Sequence, residues 1–356
     1  MKQFGTLLML LFSLTVSAQS DFDIAREFMS KKGVTLVNNP SKTRGVDKPY
    51  SIFNGSDDKG FCIVANGNVI GYDTENTIDE DNMPCCLKEL LDVLGKVVTP
   101  SKTRGLTERV VEPIKPMIKT KWDNGSPYTD SIYYRKSICY FVAEAQILHY
   151  LRVNFYVEGH FLFSDKPIDL YPTTFDHDLI DREGEEGWAE ETARFFKYAR
   201  FGIDLLKYDY ETKFGVHDYK EEFGEYDSRY QIYDKYLEKG MPLLVGSPNH
   251  GFIVDGRSED GKYHVNFGWG GLCDGYYFFP DTKDDKQYIN DNMEYNRDTF
   301  YWVHYFTPVK ETTSTMSIKH NQNINDVYNL QGIRVGKTLK GLPKGIYVQG
   351  GKKVIK

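Results

Sequence analysis

Two short segments of this chain carry residues able to do covalent chemistry. Cys139 falls where Ser137-Ile138-Cys139-Tyr140-Phe141-Val142-Ala143-Glu144-Ala145-Gln146-Ile147-Leu148 predicts a helix to begin. Far downstream comes Asn249-His250-Gly251-Phe252-Ile253-Val254-Asp255-Gly256. A thiol at a helix N-terminus feels the positive end of the macrodipole, which favours the thiolate. A histidine delivered from another part of the fold can take the thiol proton and later give it to a leaving amine. Cys139 is therefore expected to be a nucleophile and His250 its base. Of the other seven histidines, His264 is the nearest competitor, and its place in a strand pattern predicts packing.

The remaining composition narrows the field. The 356 residues are 40% hydrophobic and 27% charged, which suits two or three globular domains. A net charge of -7 without a long basic run argues against nucleic acid as a partner. Five cysteines, Cys62, Cys85, Cys86, Cys139 and Cys273, lack CxxC spacing, and HExxH is absent too, so neither metal nor cofactor is expected. Cys62 reads as a core strand residue, and the adjacent Cys85 and Cys86 as structural. Met1-Lys2-Gln3, the apolar run from Leu7 to Val16 and Ser17-Ala18 read as a secretory leader cut after Ala18. That run is too short for a comfortable membrane span, and no later segment qualifies. An exported chain with an odd cysteine count is expected to keep a free thiol.

The elements that must position Cys139 and His250 follow from periodicity. Phe22 to Lys32 predicts an amphipathic helix, Tyr50–Phe53 and Phe61–Ala65 strands, and Cys86 to Val98 a helix with Leu87, Leu90, Leu91 and Leu94 on one face. These are expected to form a small α+β unit of their own. Cys139 to Val153 reads as a buried helix, with further helices at Trp188 to Leu206 and Gln231 to Lys239. From Met241 the pattern turns to strands: Pro242 to Val245, Gly251 to Val254, Tyr263 to Phe267 and Tyr276 to Phe279. Helices followed by an antiparallel sheet indicate an α+β class. The acidic run from Asp181 to Glu186 is expected to be a solvated loop. The pentapeptide Ser-Lys-Thr-Arg-Gly occurs at 41–45 and again at 101–105, and its second copy is a candidate processing site. Beyond Thr312-Thr313-Ser314-Thr315, short strands with glycine turns form a small β module or tail.

These residues resemble the streptopain family of secreted bacterial cysteine peptidases, which share a papain-like fold. The resemblance rests on Ala143-Glu144-Ala145-Gln146-Ile147 after Cys139, on His250-Gly251-Phe252-Ile253-Val254-Asp255-Gly256, and on Tyr263 to Gly271 followed by Asp274-Gly275-Tyr276-Tyr277. It implies a leader over 1–18, an inhibitory propeptide over 19–105, a papain-like peptidase domain over 106–311, and a linker with a sorting-type β module over 312–356. It also implies an oxyanion donor in Trp122-Asp123-Asn124-Gly125-Ser126-Pro127-Tyr128. Asn124 is one methylene shorter than the family's glutamine; a plain Asn-Gly turn is the alternative. Asn266 can orient the imidazole through its side-chain carbonyl or simply bond to backbone. Trp269 can screen the histidine from water or serve as a core aromatic. Ile138 and Phe267 stand where the family carries glycine and tryptophan.

The expected function is a secreted cysteine endopeptidase made as a zymogen. Its partners would be protein substrates and its own propeptide, acting as an intramolecular inhibitor. The alternative is a catalytically degenerate relative that binds peptides or acts as an inhibitor-like or surface protein.

Overall fold

Ser20 caps the first helix, α1 (Asp21–Ser30), in the computed structural model: its hydroxyl accepts from the Asp23 N–H at 3.2 Å. Asp21 and Asp23 in the first turn complement the helix dipole. The structure describes residues 20–38, 48–97, 110–130, 138–155, 159–163, 166–171, 173–200, 214–218, 229–246, 250–279, 302–308, 327–328, 334–349 and 352–356. The leader, both Ser-Lys-Thr-Arg-Gly copies and the 312–315 linker lie outside them.

Ala25 and Met29, one turn apart on α1, are buried against Phe53, Cys62, Val64 and Tyr72. Those partners come from β1 (Ser51–Asn54), β2 (Phe61–Ala65) and β3 (Asn68–Asp73). The opposite face of these strands meets Leu87, Leu90, Leu91 and Leu94 of α2 (Cys85–Val97) within the main core. The expected separate unit is thus not separate. Its third strand would leave a row of unpaired backbone groups, and the strand Gly275–Tyr277 covers them.

The central helix is α3 (Ile138–Tyr150), buried from Val142 to His149 with Glu144, Gln146 and His149 enclosed among its apolar residues. It ends in a Schellman motif: Arg152 takes φ 55°, its N–H reaches the His149 carbonyl, and the Val153 N–H reaches that of Leu148. The hairpin β4 (Gly159–Phe163) and β5 (Lys166–Leu170) follows, then α4 (His177–Ile180) and α5 (Trp188–Ala199). The remaining elements of this unit are β6 (Phe214–Asp218), α6 (Arg229–Leu237), β7 (Leu243–Gly246), β8 (Gly251–Arg257), β9 (Tyr263–Asn266), β10 (Gly275–Tyr277) and β11 (Trp302–Pro308). One nine-stranded antiparallel sheet runs β1-β2-β3-β10-β9-β8-β7-β11-β6. With its helices it is of the α+β class, as the order of patterns predicts.

Asp181 departs from the solvated loop expected of it. Its carboxylate lies 2.8 Å from His149 Nε2 and also pairs with Arg152, while His149 Nδ1 sits 2.9 Å from His177 Nδ1. This network ties the end of α3 to α4. His264 does not merely pack: its Nδ1 lies 2.6 Å from Asp255 Oδ1. The second Asp255 oxygen accepts from the Ile118 N–H at 2.7 Å, which pins residues 114–118 alongside β8.

A second compact unit begins at Lys310. It holds a four-stranded sheet, β12 (Val327–Tyr328), β13 (Arg334–Gly336), β14 (Ile346–Gln349) and β15 (Lys352–Ile355), in the order β13-β12-β14-β15. Among the described residues no helix is long and apolar enough to cross a membrane.

Asp255→Ala leaves His264 and the Ile118 N–H buried without their partner, and should cost about 3 kcal/mol in urea unfolding. Burial lowers the His264 pKa, but Asp255 outweighs it, so the folded-state value is raised. The histidine's contribution is therefore complete below pH of about 6.5 and fades as pH rises through the folded value. Stability curves should fall over that window in the native chain, and Asp255→Asn should flatten the fall.

Candidate active site

Cys139 is the second residue of α3, in the turn where helix N–H groups lack intrahelical partners. It is half-buried, below the buried Ile138. His250 immediately precedes β8, and two glycines let its strand and the following loop close on α3. A Cβ on Gly251 would stand 2.7 Å from the Tyr140 Cα, nearer than real contacts allow. Gly268 has φ 67°, and a Cβ there would sit 3.0 Å from Val142 Cγ1 and 3.9 Å from the Cys139 carbonyl oxygen. The backbone on either side of His250 is thus held against the first turn of the cysteine's helix.

The imidazole's orientation is set by a backbone group. His250 is 4% exposed, and its Nε2 donates to the Phe267 carbonyl at 3.0 Å. That bond puts the ring proton on Nε2 and leaves Nδ1 with its lone pair, the form a general base requires. Burial pushes the His250 pKa down to about 4, with the Phe267 carbonyl opposing. The Trp269 ring stands edge-on at 6.1 Å. Trp269 is half-buried, and its indole N–H has no partner among the described residues.

Asn266 meets His250 only at one remove. Its side-chain oxygen accepts from Gln146 Nε2 at 3.0 Å and from the Gly268 N–H at 2.9 Å, while its amide donates to the Thr120 carbonyl. Asn266 therefore fixes the Phe267–Gly268 backbone, which in turn holds the imidazole. The Asp274 carboxyl, buried and raised by desolvation to about 7, accepts from the Phe267 N–H at 2.8 Å. Gln146 and the Phe267 carbonyl have no role in the sequence reading, although both lie inside its motifs. The missed signal is that a backbone carbonyl can stand in for a side chain.

Asn124 sits exposed in a bend stabilised by the Gly125 N–H donating to Asp123 Oδ1 at 2.6 Å. The bend is tied to the tryptophan loop, because the Gly270 N–H donates to the Trp122 carbonyl at 3.2 Å. On the other side of the site, Cys85 is exposed and Cys86 buried at the start of α2. Burial raises both thiols, and Cys139 is close enough to add to the rise. The residues read as structural thus approach the nucleophile candidate.

A model of the peptidase C10 family matches residues 122–277, spanning Trp122 to Tyr277 and therefore both Cys139 and His250. This segment is therefore similar to the streptopain-like peptidase C10 family. It is 36% identical over 77 residues to streptopain of Streptococcus pyogenes, covering 20% of this chain and 19% of streptopain. It is 22% identical over 325 residues to the thiol protease/hemagglutinin PrtT of Porphyromonas gingivalis, covering 71% of this chain and 37% of PrtT. The match thus spans about a fifth of streptopain's length. Among solved structures, a Prevotella intermedia prointerpain A fragment shares the fold with a TM-score of 0.53 at 16% identity, over 77% of this chain and 97% of that one.

Two outcomes check this geometry. Gly251→Ala should lower stability by about 2 kcal/mol through overpacking on Tyr140 and make Cys139 alkylate more slowly. In the full-length chain the His250 ring should stay neutral, with its proton on Nε2, until the pH approaches about 4. Nitrogen chemical shifts of the labelled imidazole report both the tautomer and the titration.

Proposed function

We propose that this chain is a cysteine endopeptidase made as a zymogen and exported through the leader over 1–18. The observation that carries the reading is the His250 Nε2–H bond to the Phe267 carbonyl, which leaves Nδ1 as the acceptor beside the start of α3. Nδ1 takes the Cys139 thiol proton, and the sulfur attacks the scissile carbonyl. The tetrahedral oxyanion is stabilised by the Cys139 N–H, with Asn124 as a second donor. Its collapse breaks the C–N bond, the imidazolium gives its proton to the departing amine, and a thioester remains. Water, deprotonated by His250, then releases the acid and regenerates the thiol.

The pro-region reading draws support from the seam that attaches residues 20–97. Tyr72 pairs with Tyr276 and Gly71 with Tyr277, the two tyrosines stack at 5.3 Å, and Lys32 Nζ lies 4.6 Å from the Tyr72 ring centroid. With α2 close to Cys139, removing residues up to about 105 would uncover both a sheet edge and the nucleophile. The expected substrates are proteins or peptides. The exposed setting of Asn124 favours a second reading, a relative that binds peptides without cleaving them.

The test uses chain processed near 105 and a peptidyl electrophile directed at thiols. Stoichiometric modification at Cys139 with casein cleavage is expected, both lost in Cys139→Ala and slowed about 100-fold or more in His250→Ala. Absence of labelling and of cleavage after verified processing would remove the peptidase reading and leave peptide binding.

A further inference from the structure

Charge is unevenly placed along this chain. Residues 310–356 hold nine Lys and Arg against two carboxylates, a net of +7, whereas the remainder holds 35 against 49, a net of -14. The second unit is therefore basic within an acidic protein. Composition of this kind argues for an anionic partner, with no bearing on the fold.

The described residues gather part of this charge. The connection from Gly336 to Gly345 joins β13 to β14 and carries Lys337, Lys340 and Lys344, all exposed. Lys340 and Gly341 occupy its tight turn, where the Leu342 N–H reaches the Leu339 carbonyl and Gly341 takes φ 89°. Gly345 and Lys356 exchange both backbone hydrogen bonds, at 3.1 and 3.0 Å, which brings the end of β15 beside Lys344. Lys356 is exposed, with its ammonium resting on the Leu342 carbonyl. Next to it, Ile355 is 75% exposed, and Leu339 and Leu342 are only partly covered.

A soluble polyanion would use the lysines and leave Ile355 in water. A bilayer bearing anionic headgroups uses both, because ammonium groups sit at the phosphates while an aliphatic side chain enters the boundary below. We propose that this end of the second unit is a docking surface for an anionic lipid bilayer, with Ile355 inserted among the headgroups. The proposal does not depend on any peptidase activity.

The test is flotation of the full chain with phosphatidylcholine vesicles, with and without phosphatidylglycerol. Binding is expected only to the anionic vesicles. It should be released as salt rises from about 0.1 M to about 1 M, where the screening length falls from about 10 Å to about 3 Å. Each surface lysine contributes about fivefold in affinity, so Lys337→Ala, Lys340→Ala and Lys344→Ala together should weaken binding by about 100-fold. Those positions are exposed, and the triple variant keeps the Gly345–Lys356 pairing. Ile355→Ser should weaken binding several-fold while leaving its salt dependence intact. Equal binding to neutral vesicles, binding unchanged in the triple variant, or retention on dextran sulfate without vesicle binding would each overturn the proposal.

Discussion

The close approach of β8 to the first turn of α3 governs the arrangement of this molecule. A side chain at Gly251 would collide with the Tyr140 Cα, so a glycine there is the condition for His250 to lie beside the cysteine's helix. The rest of the core serves that contact. α3 is buried along most of its length because it is enclosed by the sheet on one side and by α5 on another. Its far end is locked by the His149, His177 and Asp181 cluster, which fixes where Cys139 is presented. Packing thus fixes the chemical geometry, since a densely filled interior transmits position from one end of a helix to the other.

Polar groups supply the precision that apolar packing lacks. Gln146 holds Asn266, Asn266 holds the Gly268 N–H, and the Phe267 carbonyl holds His250. Every link is buried, where an unmet hydrogen bond is costly, so the chain of contacts selects one ring orientation. Asp274 approaches the same peptide from its N–H side.

Much of this was legible in the residues themselves. The apolar run Phe252 to Val254 and the Ala, Ile, Leu and Val positions of α3 reveal their elements, because both are buried on more than one side. The β4–β5 hairpin, β6 and β11 were not legible: β6 and β11 mix polar and aromatic residues, and their pairing with each other and with β7 is settled by partners distant in sequence. The role of Asp181 was hidden in an acidic run, since composition does not reveal that His149 and Arg152 arrive beside it. Asn266 is singled out by its motif, while its bonds to Gln146 and to the Gly268 N–H depend on three-dimensional register. The shared sheet of residues 51–73 with β10 was equally invisible, because a strand pattern does not name its neighbour.

The most direct test of the central claim is a crystal structure of the chain processed near 105 with a peptidyl thiol electrophile bonded to Cys139. The account predicts a thioether at Cys139 Sγ, His250 Nδ1 facing that sulfur, and Nε2 still donating to the Phe267 carbonyl. A ring turned so that Nδ1 meets Phe267, or an imidazole remote from the modified sulfur, would contradict it.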